Sequence, residues 1–176
     1  MTGGRPGTGV DVRPETGADR PAVHALHAAA FPTDAEARLV DVLRKSAPDY
    51  ISLVAAQAGA VVGHILFTPV ALDGSADLRI MGLAPMAVLP GHQGRGIGSA
   101  LVHAGLAACS SRGYGAVVVL GHADYYPRFG FRPASTFGLG SEYDVPDDVF
   151  MALELETGCL HGRSGTIKYN TAFRDL

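Results

Sequence analysis

Only two cysteines, Cys109 and Cys159, occur in the 176 residues, and neither stands in a C-x-x-C pair. That is too few for a zinc pattern, and both read as buried, reduced thiols rather than a redox couple. No apolar run approaches the roughly 20 residues that a membrane-spanning helix needs. Charge of one sign is not in excess either: 14 Lys and Arg against 17 Asp and Glu leave a net charge of −3, with the two signs interspersed. A basic stripe for nucleic acid and a polybasic run for a membrane surface are therefore missing, so any bound polyanion has to be met locally. The chain also lacks an internal repeat and an interdomain linker. Its length and 47% hydrophobic content suit one domain with a real core. Residues 1–9 are glycine-rich without an apolar signal core, which predicts a disordered leader and a cytoplasmic protein.

Two further absences narrow the glycine-rich stretch Gly91-His92-Gln93-Gly94-Arg95-Gly96-Ile97-Gly98. Gly98 is followed by Ser99 with no lysine, so this is not the loop of a nucleotide triphosphatase. Its spacing, Gly94-x-Gly96-x-Gly98, is not the G-x-G-x-x-G of a dinucleotide fold. What is present is an apolar strand, Leu83 to Leu89, feeding three alternate glycines and then helical spacing from Ser99. Glycines let a ligand approach the backbone closely, and a helix start behind them offers free N–H donors and a positive dipole to phosphate oxygens. Pro85 lies inside the strand and has no N–H to give a ladder. A bulge is expected there, with neighbouring amides left unpaired.

Around this stretch the pattern predicts a short strand at Val10 to Arg13, a helix capped by Asp19 and ended by Phe31-Pro32, and a second helix from Asp34 to Lys45. Ile51 to Gln57 and Val61 to Val70 have the spacing of a hairpin, and Leu78 to Val88 can pair with the latter. A helix over Ser99 to Ser111 is followed by Ala116 to Leu120, a continuous apolar run typical of a strand buried on both faces. Strand, helix and strand imply a parallel pair through a right-handed crossover, and a splayed pair opens a cleft at the strands' C-terminal ends. A short helix from Asp124 to Phe129, a strand at Val149 to Leu155 and a last one at Ile167 to Tyr169 complete the reading. The fold class is α/β (α+β), a mixed, mainly antiparallel twisted sheet flanked by helices.

Gln93-Gly94-Arg95-Gly96-Ile97-Gly98 after a strand and before a helix, with Tyr125-Tyr126-Pro127-Arg128-Phe129-Gly130-Phe131 one helix and one strand downstream, resembles the GNAT superfamily of acyl-CoA-dependent N-acyltransferases. Its YhbS-type predicted N-acetyltransferases are the most similar branch. The resemblance implies one N-acetyltransferase domain over residues 10–176, and acetyl-CoA as acyl donor with no metal. It implies a primary amine of a small molecule, peptide or protein as acceptor, with neither nucleic acid nor membrane as partner. It places the CoA pyrophosphate on the amides of Gln93, Gly94, Arg95, Gly96, Ile97, Gly98 and Ser99, and the pantetheine arm along Met86, Ala87 and Val88. The N–H of Ala87 or Val88 would polarise the thioester carbonyl. Tyr126 would protonate the departing thiolate, with Tyr125 as the neighbour that could hold the role instead, and Phe129 would pack against the cofactor.

The base is open between Glu36 and His64, with a water chain as substitute for either, because Leu83 to Leu89 carry no carboxylate. Relatives place an asparagine after the apolar strand, where this chain has Gly121-His122-Ala123-Asp124. His122 or Asp124 would line the cleft or cap the short helix. Phe31, Glu36, Phe137 and Tyr143 are candidates for the acceptor wall. A homodimer through terminal strands is compatible with the pattern. The competing reading is a non-catalytic acyl-CoA-binding sensor or regulatory module.

Overall fold

The computed structural model describes residues 9–176, so the leader expected over 1–9 lies, except for Gly9, outside the described residues. Strands β1 (Asp11–Pro14), β2 (Ile51–Gln57), β3 (Ala60–Leu72), β4 (Ile80–Val88), β5 (Ala116–Leu120), β6 (Arg132–Pro133), β7 (Leu139–Ser141), β8 (Phe150–Glu154) and β9 (Gly165–Lys168) accompany helices α1 (Arg20–Ala30), α2 (Ala35–Ser46) and α3 (Ile97–Ser111). The main path through the sheet is β1-β2-β3-β4-β5-β8-β6, and β9 pairs with both β3 and β7. Within that path β4 and β5 run parallel and their neighbours antiparallel. The short β7, which the sequence pattern did not reveal, joins β9 in parallel. The last strand is thus paired within the chain, whereas among the described residues β1 has β2 alone beside it.

The hairpin between β2 and β3 turns on Ala58 and Gly59, both at positive φ, the geometry that matches the twist of the flanking strands. β5 is buried on both faces, as its composition requires. Val117 and Val119 join the core under α3 with Ile65, Phe67, Met81, Leu101 and Val102, while Ala116 and Val118 face Ile80, Phe150, Leu160 and Ile167. On the opposite side of the sheet from α3, Val23, Leu39, Val40 and Leu43 of α1 and α2 cover Val54 and Leu66. Each such side chain taken fully from water contributes about 1.5–3 kcal/mol, and these contacts hold β3 and β4 between helices on both faces. Among the described residues no helix is long and apolar enough to cross a membrane.

The bulge expected at Pro85 is present. Ile65 faces Met86 and Phe67 faces Leu83, so Leu66 alone spans Ala84 and Pro85. The extra residue bends β4 at the point where its pairing with β5 ends.

Candidate active site

β4 and β5 pair only from Ile80↔Ala116 to Leu83↔Val119. Past that point the bulge carries β4 away and β5 stops at Leu120, leaving a cleft of about 740 Å³. On its far side β4 stays bonded to β3. The Leu89 amide donates to the Val62 carbonyl at 2.9 Å, and two residues back, in the same register, Ala87 faces His64. Alternation along the ladder then turns the N–H and C=O of Met86 and Val88 away from β3 and toward the cleft. The Val88 carbonyl is already taken by the Gln93 side-chain amide at 3.1 Å, so its N–H is the group left open. The register turns the amide of Ala87 the other way, toward β3.

The floor of the cleft passes into the glycine loop and α3. The helix begins at Ile97, two residues before the expected Ser99, because Gly96 takes the left-handed conformation (φ 83°) as its N-cap and makes no side-chain capping bond. The first-turn amides of α3 are therefore free for a ligand. Gln93, Gly94, Gly96, Ile97, Gly98 and Ser99 line this end, and no heavy atom would lie within 4 Å of a Cβ at Gly94. That is open room for a phosphate group. Arg95 is exposed and stands outside the wall. His92, which sequence reasoning passed over, adds a buried Nδ1 without a partner.

A single turn of 3-10 helix, Tyr126–Phe129, closes the cleft opposite β4. Tyr126 is 7% exposed and lines the cavity. Its ring lies against Tyr125 (5.1 Å between centroids) and Phe131 (5.7 Å), and a methyl at Gly121 would overlap it. Burial, and secondarily the neighbouring Tyr125, push the Tyr126 phenol up to about 12. The Tyr125 hydroxyl abuts Gly98, 2.8 Å from where a Cβ would stand, so this tyrosine belongs to the α3 end. Arg128 also lines the cleft, its guanidinium 4.4 Å over the Tyr125 ring and its Nε donating to the Tyr125 carbonyl at 2.9 Å. The three-residue step from Tyr125 to Arg128 in a 3-10 turn was the signal for this residue. Phe129 departs from expectation: it packs edge-on to His103 of α3 (5.1 Å) and Tyr125 (5.3 Å) and does not line the cleft. His122 lines it and Asp124 does not.

The two base candidates separate. Glu36, in the first turn of α2, is on the cleft wall beside Phe31, and its Oε2 is buried without a hydrogen-bond partner. His64 is fully buried and is not on the wall. Its side chain turns with Leu66 to the α1 and α2 face, where both ring nitrogens are engaged. Nδ1 lies 2.8 Å from His27 Nε2, and Nε2 lies 2.7 Å from the Ser52 hydroxyl and 3.2 Å from Glu15. Ser52 donates to Glu15 at 2.9 Å, and Arg44 grips the same carboxylate through two 2.8 Å bonds. With Ser52 donating to Glu15, His64 donates from Nε2 and accepts from His27 at Nδ1, which leaves His27 Nδ1 a bare, buried, unpartnered lone pair. Phe137 lies under Arg132 (4.7 Å) and Tyr143 under Tyr169 (5.6 Å), so neither is part of the cleft.

Burial holds both histidines below their ordinary range, His27 at about 3, and outweighs the attraction of Glu15 that pulls both the other way. A neutral histidine in the folded chain that protonates once unfolded stabilises the fold above pH 6.5 and loses that contribution as the pH falls below it. Unfolding in urea, followed from pH 7.5 to pH 5, is expected to show stability falling little down to pH 6.5 and then steepening toward about 1.4 kcal/mol per pH unit for each histidine. A flat profile would mean that the pair takes up protons as readily folded as unfolded, and stability rising on acidification would mean that it is charged in the native state.

Residues 48–133 match the family model described as an acetyltransferase (GNAT) domain. The chain is 36% identical over 163 residues to the uncharacterized N-acetyltransferase YhbS of Escherichia coli, covering 92% of this chain and 97% of that one. It is 41% identical over 130 residues to the uncharacterized N-acetyltransferase YjhQ of E. coli, 72% of each chain. The crystal structure of E. coli YhbS in complex with CoA superposes with a TM-score of 0.90 at 34% identity, covering 98% of this chain and 96% of that one. A GNAT family acetyltransferase from Brucella melitensis in complex with acetyl-CoA superposes at 0.77 with 33% identity, covering 93% and 97%. Likeness of this extent, in sequence as well as in fold, makes the chain a member of the GNAT family of N-acetyltransferases.

Proposed function

We propose that residues 10–176 act as one domain that transfers the acetyl group of acetyl-CoA to a primary amine by direct attack within a ternary complex in the cytoplasm. The observation that carries this reading is the convergence on one cleft of the open β4 edge, the uncapped start of α3, Tyr126 and Glu36. Residues Gln93 to Ser99 hold the pyrophosphate on backbone amides, with Arg95 reaching in from the rim. Met86 and Val88 bond the amides of the pantetheine arm as an added strand would.

Glu36 takes the proton of the incoming ammonium, and the neutral nitrogen forms its bond to the thioester carbon. The Val88 N–H bonds the oxygen on which negative charge develops, a placement worth about 3 kcal/mol of barrier. As the C–S bond breaks, Tyr126 gives its proton to sulfur, and the second proton, shed by the newly acylated nitrogen, restores the phenol. Its raised affinity for that proton keeps it loaded at neutral pH. Ala87 supports this arrangement from behind, and His64 sits in the layer beneath, so the proton acceptor is Glu36 rather than His64.

The test is release of free CoA thiol from acetyl-CoA on addition of amines. Amine-dependent release is expected. Tight acetyl-CoA binding without release across a broad amine panel would overturn the reading in favour of a binding module.

A further inference from the structure

Arg128 and Glu36 are the charged side chains on the cleft wall, which also carries His92, His122 and the C-terminal Leu176. Arg128 is committed to the α3 end by its stacking on Tyr125, whose hydroxyl abuts Gly98. Glu36, in the first turn of α2, has one buried oxygen that bonds to none of the described residues. Arg38, two residues on, is paired with Asp34 at 3.0 Å and leaves Glu36 unneutralised. A buried carboxylate oxygen without a partner is costly. A cationic ligand that bonds it removes that cost.

The wall beside Glu36 is apolar and backed by buried hydrogen bonds. Phe31, adjoining Ala30, lines it, and the Phe31 ring is stacked on His27 with 5.9 Å between centroids and planes 3° apart. His27 is in turn fixed by His64, and His64 by Ser52 and Glu15. The aromatic face therefore has a buried backing that spans α1, β3, β2 and the segment after β1. On the other side, Ala84 and Pro85 of the bulge and Leu120 of β5 add apolar surface.

Resting on the acetyl-transfer reading, we propose that the acceptor is a small primary monoamine carried on an aromatic or alkyl body, with no carboxylate next to the amine. Glu36 binds its ammonium and Phe31 its body. An α-amino acid would set a second anion beside Glu36 while Arg128 is engaged with the Tyr125 ring and carbonyl, and is rejected on that account.

Calorimetry on the full chain saturated with CoA tests this without requiring turnover. Phenethylamine is expected to bind at least tenfold more tightly than phenylalanine, and Glu36→Gln to abolish that preference. Phe31→Ala is expected to weaken phenethylamine about tenfold more than ethylamine, the scale of one aromatic contact. Equal affinity for phenethylamine and phenylalanine, or a preference unchanged in Glu36→Gln, overturns the proposal, as does absence of binding by both aromatic compounds. Acetylation of the same amines, read as thiol release, is scored separately. Turnover of phenylalanine at the rate of phenethylamine would overturn the acceptor class while leaving acetyl transfer standing. Phenethylamine bound through Glu36, with no thiol released for it or for any other amine of a broad panel, would leave the amine-binding site standing while overturning acetyl transfer.

Discussion

Replacing Tyr126 by Phe is expected to lower kcat for amine acetylation by about 10²–10⁴-fold, the usual contribution of a positioned proton donor. The affinity for acetyl-CoA, measured by calorimetry, should barely change. The ring of Tyr126 is 7% exposed and packed on Tyr125 and Phe131, so Phe preserves the packing and removes one hydroxyl. Without it the thiolate would leave unprotonated into a cleft with a largely apolar wall, and the barrier to C–S cleavage would rise. Because the phenol is held near 12, the wild-type rate should show no loss from this group as the pH rises to 9. The control is Tyr125→Phe. Its hydroxyl lies at Gly98 in the α3 end, so that variant should raise KM for acetyl-CoA and spare kcat. The opposite ordering of the two variants would transfer the acid role to Tyr125.

How far the sequence revealed the site follows from where its residues point. Pro85 announced the bulge because a missing N–H is a local property, and the register shift at Leu66 sits where it required. The glycine loop was legible for the same reason, since positive φ at Gly94 and Gly96 needs no partner elsewhere in the chain. β5 announced burial on both faces through four consecutive apolar residues, all at most 1% exposed. β3 is the contrary case. Val62 through Thr68 are all buried, so alternation could not tell which face His64 would take, and the histidine that resembled a base became a structural one. Its partners Glu15, His27, Arg44 and Ser52 come from four different segments, and no spacing rule joins them. Phe129 packs against His103 of α3 (5.1 Å) and Tyr125 (5.3 Å), and a contact with a helix some 25 positions earlier is one that no local spacing could show. β7 has three residues and pairs with β9 more than 20 positions later, too short and too distant for periodicity to register.

The buried network behind β3 carries the second large effect. Glu15→Ala is expected to cost about 3–5 kcal/mol, the range for removing one partner of a buried ion pair. In a chain of this size that is a drop of roughly 6–20 °C in Tm. The Glu15 and Arg44 side chains are 4% and 5% exposed and share two 2.8 Å bonds. With the carboxylate gone, the guanidinium keeps only its 2.7 Å bond to Asp41, itself half open to solvent. Ser52 and His64 lose their common acceptor at the same time. Glu15→Ala/Arg44→Met should be less destabilised than Glu15→Ala alone, because it removes the stranded charge. Urea unfolding of the two variants decides the matter: equal loss in both would mean that the arginine was never stranded. Since His64 is paired with Ala87 on β4, loosening its side chain loosens the strand that presents the Met86 and Val88 amides to the cleft. Glu15→Ala assayed well below its Tm should therefore also show a raised KM for acetyl-CoA, and the charge-free double variant, which still lacks the acceptor for Ser52 and His64, should not restore it.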